Sequence, residues 1–185
     1  MYEDWNKEEL IEELNNLKKK KRYGLVWESN KEESVGKIKK EFPYLVEDLN
    51  KKIISDPNKP TNLIIEGDNY HSLAMLNYTH KEKIDVIYID PPYNTGARDW
   101  KYNNDYVDSE DSFRHSKWIN MMYERLKIAK NLLTEDGILI CTIDKHEQPR
   151  LLILMEEIFS DMEIHCLAVI HNPAGTQGNN FSYNN

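Results

Sequence analysis

Cysteine is scarce in this 185-residue chain: Cys141 and Cys166 are the only two, both in apolar stretches and without CxxC spacing. That spacing argues against a zinc site or a disulfide framework. The two thiols are expected to be reduced core residues of a cytoplasmic protein, and no metal ligand set is expected. Long apolar runs are missing too; none approaches the roughly 18 residues that span a bilayer, which argues against a membrane partner. The start, Met1-Tyr2-Glu3-Asp4-Trp5, is acidic and polar and does not read as a secretory signal. Positive charge is also outnumbered, with 24 Lys and Arg against 32 Asp and Glu and a net charge of −8. Proteins that grip phosphates through many cations usually show a basic face. The runs Lys18 to Arg22 and Lys37 to Lys40 read more simply as solvated helix faces. Any surface that grips a polyanion is therefore expected to lie elsewhere. What remains is the composition of a globular chain, 39% hydrophobic and 30% charged.

The chain divides at about residue 60. From Asn6 to Arg22 the pattern predicts a helix: Asn6 with Glu9 forms a capping box, and Leu10, Ile11, Leu14 and Leu17 form one apolar stripe. Lysines gather at its end and Gly24 stops it. Pro43, Pro57 and Pro60 break up the mixed, charged stretch that follows, so residues 1–60 are read as a helical N-terminal extension. From residue 61 to 185 strands and helices alternate. Strands are expected at 62–66, 84–89, 137–144 and 165–171, and helices at about 70–80, 116–133 and 151–159, with a polar loop over 94–112. The run Ile84-Asp85-Val86-Ile87-Tyr88-Ile89 is rich in β-branched residues and predicts a central parallel strand buried on both faces. Alternation of this kind indicates βαβ units and an open α/β sheet.

Ligands of such sheets bind outside the carboxyl ends of the strands, where Asp68, Asp90 and Asp144 are expected. The informative group is Asp90-Pro91-Pro92-Tyr93. Each proline fixes its own φ and extends the residue before it, and neither offers an N–H. The loop is thus a rigid set of acceptors beside an aromatic ring. Methylation of an aromatic amine calls for such a set. The N6 lone pair of adenine is delocalised into the purine ring; acceptors from the Asp90 carboxylate and the Pro91 carbonyl would draw the nitrogen towards tetrahedral geometry. They would also stabilise the positive charge that develops there. Tyr93 would stack on a base flipped out of the duplex. Neither cysteine follows a proline, so the Pro-Cys nucleophile of cytosine-C5 methylation is missing.

Asp90-Pro91-Pro92-Tyr93 matches the DPPY motif of amino-directed DNA methyltransferases, and Asp in first position resembles the adenine-N6 enzymes more than the cytosine-N4 ones. The similarity extends to Lys20 through Glu28, Asn62 through His71, Tyr88 through Gly96 and Arg114 through Trp118. Together these stretches resemble the modification (Mod) subunit of type III restriction-modification systems. The resemblance implies a Rossmann-like sheet, S-adenosylmethionine as cofactor, and a catalytic loop of Asp90, Pro91, Pro92 and Tyr93. It places Asp68, Asn69 and Asp90 at the cofactor, although Asp68 is also readable as a helix N-cap. It further implies double-stranded DNA, a second Mod copy and a restriction (Res) subunit as partners. The glycine-rich Phe-x-Gly-x-Gly cofactor motif that follows the catalytic motif in this group is not found; Gly175-Thr176-Gln177-Gly178 is a poor substitute. The chain is accordingly expected to be the front part of such an enzyme. The alternative is an inactive truncated remnant with no cofactor binding of its own. Methylation of RNA or protein is a weaker third reading, because glutamine-directed enzymes carry Asn in place of Asp90. Asp144 is readable as a cap, His115 as structural, and Tyr102 and Tyr106 as packing down the loop.

Overall fold

The computed structural model describes residues 6–12, 26–28, 32–38, 40–53, 56 and 58–168. Elements run in the order α1 (Glu33–Lys37), a 3-10 turn (Leu49–Lys51), α2 (Asn69–Thr79), β1 (Ile84–Ile89), β2 (Ala97–Tyr102), β3 (Asp105–Asp108), α3 (Arg114–Leu132), β4 (Leu133–Cys141) and α4 (Gln148–Ile158). This is a mixed α/β arrangement around a small parallel sheet, in which β1 and β4 pair from Ile84↔Leu133 to Ile89↔Cys141. Parallel strands need a crossover, and hairpin β2–β3 followed by α3 supplies it.

α3 is the organising element. Trp118, Met122, Leu126 and Ala129 recur at helical spacing and are all buried; the first three join Leu151, Leu154 and Phe159 of the α4 region in one core. Ile87 and Ile89 of β1 and Leu139 and Cys141 of β4 pack against that core from the sheet. Fully burying an apolar side chain of this size contributes roughly 1.5–3 kcal/mol, so the α3 stripe fixes the helix on one sheet face.

Several expectations hold locally. Asn6 Oδ1 accepts from the Glu8 and Glu9 amides at 2.9 and 3.0 Å, and Glu9 returns a bond to the Asn6 amide at 2.8 Å. The capping box is therefore formed; most of the rest of that helix and its apolar stripe lies outside the described residues. Others are corrected. Residues 62–66 form no strand: they have no ladder partner among the described residues, and Ile64 is 94% exposed. A strand exists only where a neighbouring backbone satisfies its N–H and C=O groups, which apolar character alone does not guarantee. The segment 163–168 is likewise unpaired, and 169–171 lie outside the described residues. β1 is covered on one face only: Val86, Tyr88, Ile138 and Ile140 of the β1–β4 sheet are exposed on the other. Cys166 is exposed, while Cys141 is half-buried.

The expected polar loop over 94–112 is largely an antiparallel hairpin. Its turn, Asn103-Asn104, has φ of 51° and 69°, the paired left-handed geometry that matches the twist of two short strands. Trp100, Tyr102 and Val107 anchor it in the core. Tyr106 instead stays outside, with the Lys101 ammonium 4.5 Å from its ring centroid.

Ahead of α2 the described residues carry helix at 7–12 and in α1, and the 3-10 turn. Residues 26–28 and 32–37 lie across α3 as a strap. Trp27 Nε1 donates to Asn120 at 2.8 Å, Arg125 makes two 2.8 Å bonds to the Glu32 carboxylate, and Asn103 accepts from the Glu33 amide. The Glu32–Arg125 pair is bidentate and largely shielded from water, the geometry in which an ion pair has directional value.

Candidate active site

β1 ends at Ile89, and Asp90 opens the loop that leaves the sheet. Because β1 and β4 run parallel with Ile89 opposite Cys141, their carboxyl ends coincide, and Asp90 meets Thr142. Thr142 Oγ1 donates to Asp90 Oδ1 at 2.5 Å, and the Tyr93 hydroxyl donates to the same oxygen at 2.9 Å. The Thr142 bond first, and then the Tyr93 bond, holds the Asp90 carboxyl below the usual carboxylate range. Both donors favour the anion. The same contact pushes the Tyr93 phenol up. Asp90 is exposed, and no described donor occupies Oδ2.

The prolines are held from behind. Trp118, fully buried near the start of α3, donates from Nε1 to the Pro92 carbonyl at 2.6 Å. The Pro91 carbonyl receives no bond from a described residue. Among the described residues, two acceptors thus remain without a donor at the strand ends, Asp90 Oδ2 and the Pro91 oxygen. Pro91, Pro92 and Tyr93 are themselves half-buried.

Asn94 then turns the chain back into the core. It has φ 55°, a region that Asn tolerates better than most residues, and it is 0% exposed. Gly96 follows at φ 88°, where a Cβ would lie 3.0 Å from the Arg114 guanidinium and 3.1 Å from Ser109. Only glycine fits that position without strain.

Asp68 and Asn69 lie at the start of α2. Asp68 Oδ1 accepts from the His71 amide at 3.0 Å, so the capping reading of Asp68 is realised. Its side chain remains 42% exposed, and its second oxygen is open to a ligand. No hydrogen bond joins Asp68 or Asn69 to the Asp90 loop. Asp144 closes on its own neighbourhood: Oδ1 accepts from the His146 amide at 2.8 Å and Oδ2 meets His146 Nδ1 at 2.5 Å. His115 has both ring nitrogens engaged. Arg114 Nε donates to Nε2 at 3.2 Å, and Nδ1 lies 2.5 Å from Glu147. Burial, and then the nearby Asp90 charge, pushes the Cys141 thiol up to about 12, so it is no nucleophile near neutrality.

Sequence reasoning missed Thr142 and Trp118 as partners of the loop. Thr142 was open to discovery, since it is the residue after the strand paired with β1. Trp118 closes the Arg114–Trp118 stretch that carries part of the resemblance, but nothing in that stretch says that its indole faces Pro92. Among the described residues no cluster of His, Cys, Asp and Glu is arranged to hold a metal, and no helix is long and apolar enough to cross a membrane.

Comparison with known families finds that residues 84–185, more than half of the chain, match a model described as DNA methylase. The probable type III restriction-modification enzyme HindVI Mod subunit of Haemophilus influenzae is 47% identical over 105 residues, covering 57% of this chain and 13% of the relative. The EcoPI Mod subunit of Escherichia phage P1 is 33% identical over 138 residues, covering 62% and 21%. The type II methyltransferase M.KpnI of Klebsiella pneumoniae is 37% identical over 111 residues, covering 60% and 27%. The chain thus spans a minor part of the length of each of these relatives.

Proposed function

Because this chain belongs to the DNA methylase family, we propose that it carries the catalytic loop of a DNA adenine-N6 methyltransferase, the modification subunit of a type III restriction-modification system. The names of the relatives support that character. The observation that carries the reading is the state of Asp90: an exposed anion with one oxygen pinned by Thr142 and Tyr93 and the other open. Beside it in the chain, the Pro91 carbonyl is open as well.

The mechanism follows from charge. Asp90 Oδ2 and the Pro91 carbonyl accept the two N6 hydrogens of a flipped adenine and localise its lone pair. A carboxylate with lowered basicity is a poor base but a good fixed negative end. It therefore acts by stabilising positive charge on N6 as the bond to carbon forms, without having to take the proton early. Its orientation is set beforehand by Thr142, so little reorganisation accompanies the reaction. Tyr93, whose hydroxyl is tethered to Asp90, offers a fixed ring against which the base stacks.

S-adenosylmethionine, when bound, supplies a cationic methyl donor. The donor set fits it: Asp68 keeps one carboxylate oxygen open beside Asn69, and Asp90 adds an anion suited to a sulfonium neighbour. We assign Asp68, Asn69 and Asp90 to that ligand. We read residues 61–185 as part of a Rossmann-like catalytic domain and 1–60 as the extension ahead of it. The assignment brings with it double-stranded DNA, a second Mod copy and a Res subunit as partners, and a cytoplasmic location.

Transfer of labelled methyl from S-adenosylmethionine to adenine in DNA by the purified full-length protein, abolished by Asp90→Ala, is the expected result. Methylation confined to cytosine, RNA or protein would overturn the reading. If this chain alone neither binds the cofactor nor transfers methyl, the piece by itself behaves as the inactive remnant described above.

A further inference from the structure

The segment leaving the Asp90–Tyr93 loop is tied to a buried charge that the reaction itself does not use. Glu147, just ahead of α4, is 0% exposed. Its Oε1 accepts from Asn94 Nδ2 at 2.5 Å and meets His115 Nδ1 at 2.5 Å, while Oε2 lies 3.4 Å from the Arg150 guanidinium. Asn94, also 0% exposed, is saturated: its Oδ1 accepts from Trp100 Nε1 at 3.1 Å, and its Nδ2 also reaches the Arg114 carbonyl at 3.3 Å. Arg114 Nε donates to His115 Nε2, which leaves the His115 proton on Nδ1, facing Glu147. The groups facing the carboxylate are thus Asn94, His115 and Arg150, from the loop, α3 and α4 respectively.

A buried carboxylate is costly unless it is fully bonded. A carboxylate placed here, and surrounded in this way, is expected to serve something other than stability alone. The geometry points to Glu147 as a positioning residue: through Asn94 it fixes the backbone that follows Tyr93, and so holds Asp90 and Pro91 in their reacting orientation. Trp118 closes the arrangement from the other side by holding the Pro92 carbonyl. The loop is clamped at Pro92 and at Asn94, two residues apart, which leaves Tyr93 between fixed points. Neither Glu147 nor Asn94 touches substrate in this scheme. The inference rests on the proposed function for its catalytic consequence, but the clamp itself is a property of the fold.

The test uses the full-length protein with Glu147→Leu, Glu147→Gln and Asn94→Ala, labelled at tryptophan with nitrogen-15. The indole signals of Trp100 and Trp118 report the two ends of the clamp, and Trp27, bonded to Asn120, serves as the internal control. Glu147→Leu and Asn94→Ala are expected to move the Trp100 and Trp118 signals and leave that of Trp27 in place. Glu147→Gln, which keeps an acceptor at Oε1, is expected to move them less. In methyl transfer, Glu147→Leu is expected to lower kcat by about a hundredfold, the scale of a misplacement of about 1 Å, with KM for DNA little changed and Glu147→Gln in between. A Trp118 signal that stays put in both Glu147→Gln and Asn94→Ala overturns the clamp, as does loss confined to KM. Should Glu147→Leu fail to fold, those two variants decide alone. A protein that transfers no methyl to adenine refutes the proposed function, while the indole signals still decide this inference.

Discussion

Replacing Trp118 by phenylalanine removes the indole N–H and part of the ring volume from the centre of the site. The indole is 0% exposed and its Nε1 bonds the Pro92 carbonyl at 2.6 Å. Leaving that half-buried oxygen without a donor costs about 1–3 kcal/mol. The smaller ring leaves a gap that adds roughly 1 kcal/mol, low in the range for large-to-small core changes because most of the ring remains. The sum is about 2–4 kcal/mol. For a domain of this length each kcal/mol lowers Tm by roughly 2–4 °C, so thermal unfolding followed by circular dichroism should fall by roughly 5–15 °C. Trp27→Phe is the matched control. It also loses one indole bond, to Asn120 at 2.8 Å, but at a partly buried site on the strap, where about 1 kcal/mol is expected. The Trp118 variant should therefore be the less stable by a clear margin, and it should also lose methyl transfer as Pro92 is released. Equal melting of the two variants would refute the argument, because the Pro92 carbonyl would then not depend on the indole.

Thr142→Val should raise the Asp90 carboxyl back towards its ordinary range, since the Thr142 hydroxyl is the first cause of its depression. The sign is fixed. A depressed carboxyl contributes stability above its unfolded value and loses it as pH falls through the folded one, so the variant forfeits that contribution near neutral pH and converges with the parent protein on the acid side. A carbon-13 titration of Asp90 that stays unmoved, or moves down, would contradict this. Gly96→Ala should destabilise by about 1–2 kcal/mol in urea melts, through its left-handed φ and its closeness to Arg114 and Ser109. A neutral result would mean that the loop shifts freely. In a thiol-reagent titration near pH 8, Cys166 should react quickly and Cys141 slowly, because the former is exposed while burial keeps the latter protonated; equally fast labelling in the native state would place Cys141 differently.

The sequence carried the parts of the site that are local. A β-branched run ending in Asp90 gives the strand and the position of the carboxylate, and Asp68 three residues before His71 gives the cap. The parallel pairing of β1 with β4 also followed from the alternation of strands and helices. The 62–66 run was misleading because apolar pattern reports a wish for burial, whereas a strand also needs a neighbour's backbone. The hairpin over 97–108 was hidden because its turn is Asn103-Asn104, without the glycine that usually marks such a turn. Glu147 was invisible for a different reason. It lies 53 residues from Asn94 in a polar stretch that reads as a cap, and only the folded chain shows that its carboxylate points inward.

The register of the sheet has one more consequence. At their far ends β1 and β4 match residue for residue, but nearer the start β1 advances from Ile84 to Val86 while β4 advances from Leu133 to Ile138. The irregularity is absorbed there, around Gly137, which is closely packed over Leu133 and Thr134. Downstream of it the two strands work like a vernier. Asp90 faces Thr142 only when every rung between is aligned, and a slip of one residue would turn each side chain to the opposite face. The Asp90–Thr142 contact therefore reads strand alignment to the single residue, a precision that secondary-structure content cannot supply. Insertions near residues 135–137 should leave this alignment intact, while the same insertion beyond Ile138 should silence the site in a chain that still folds.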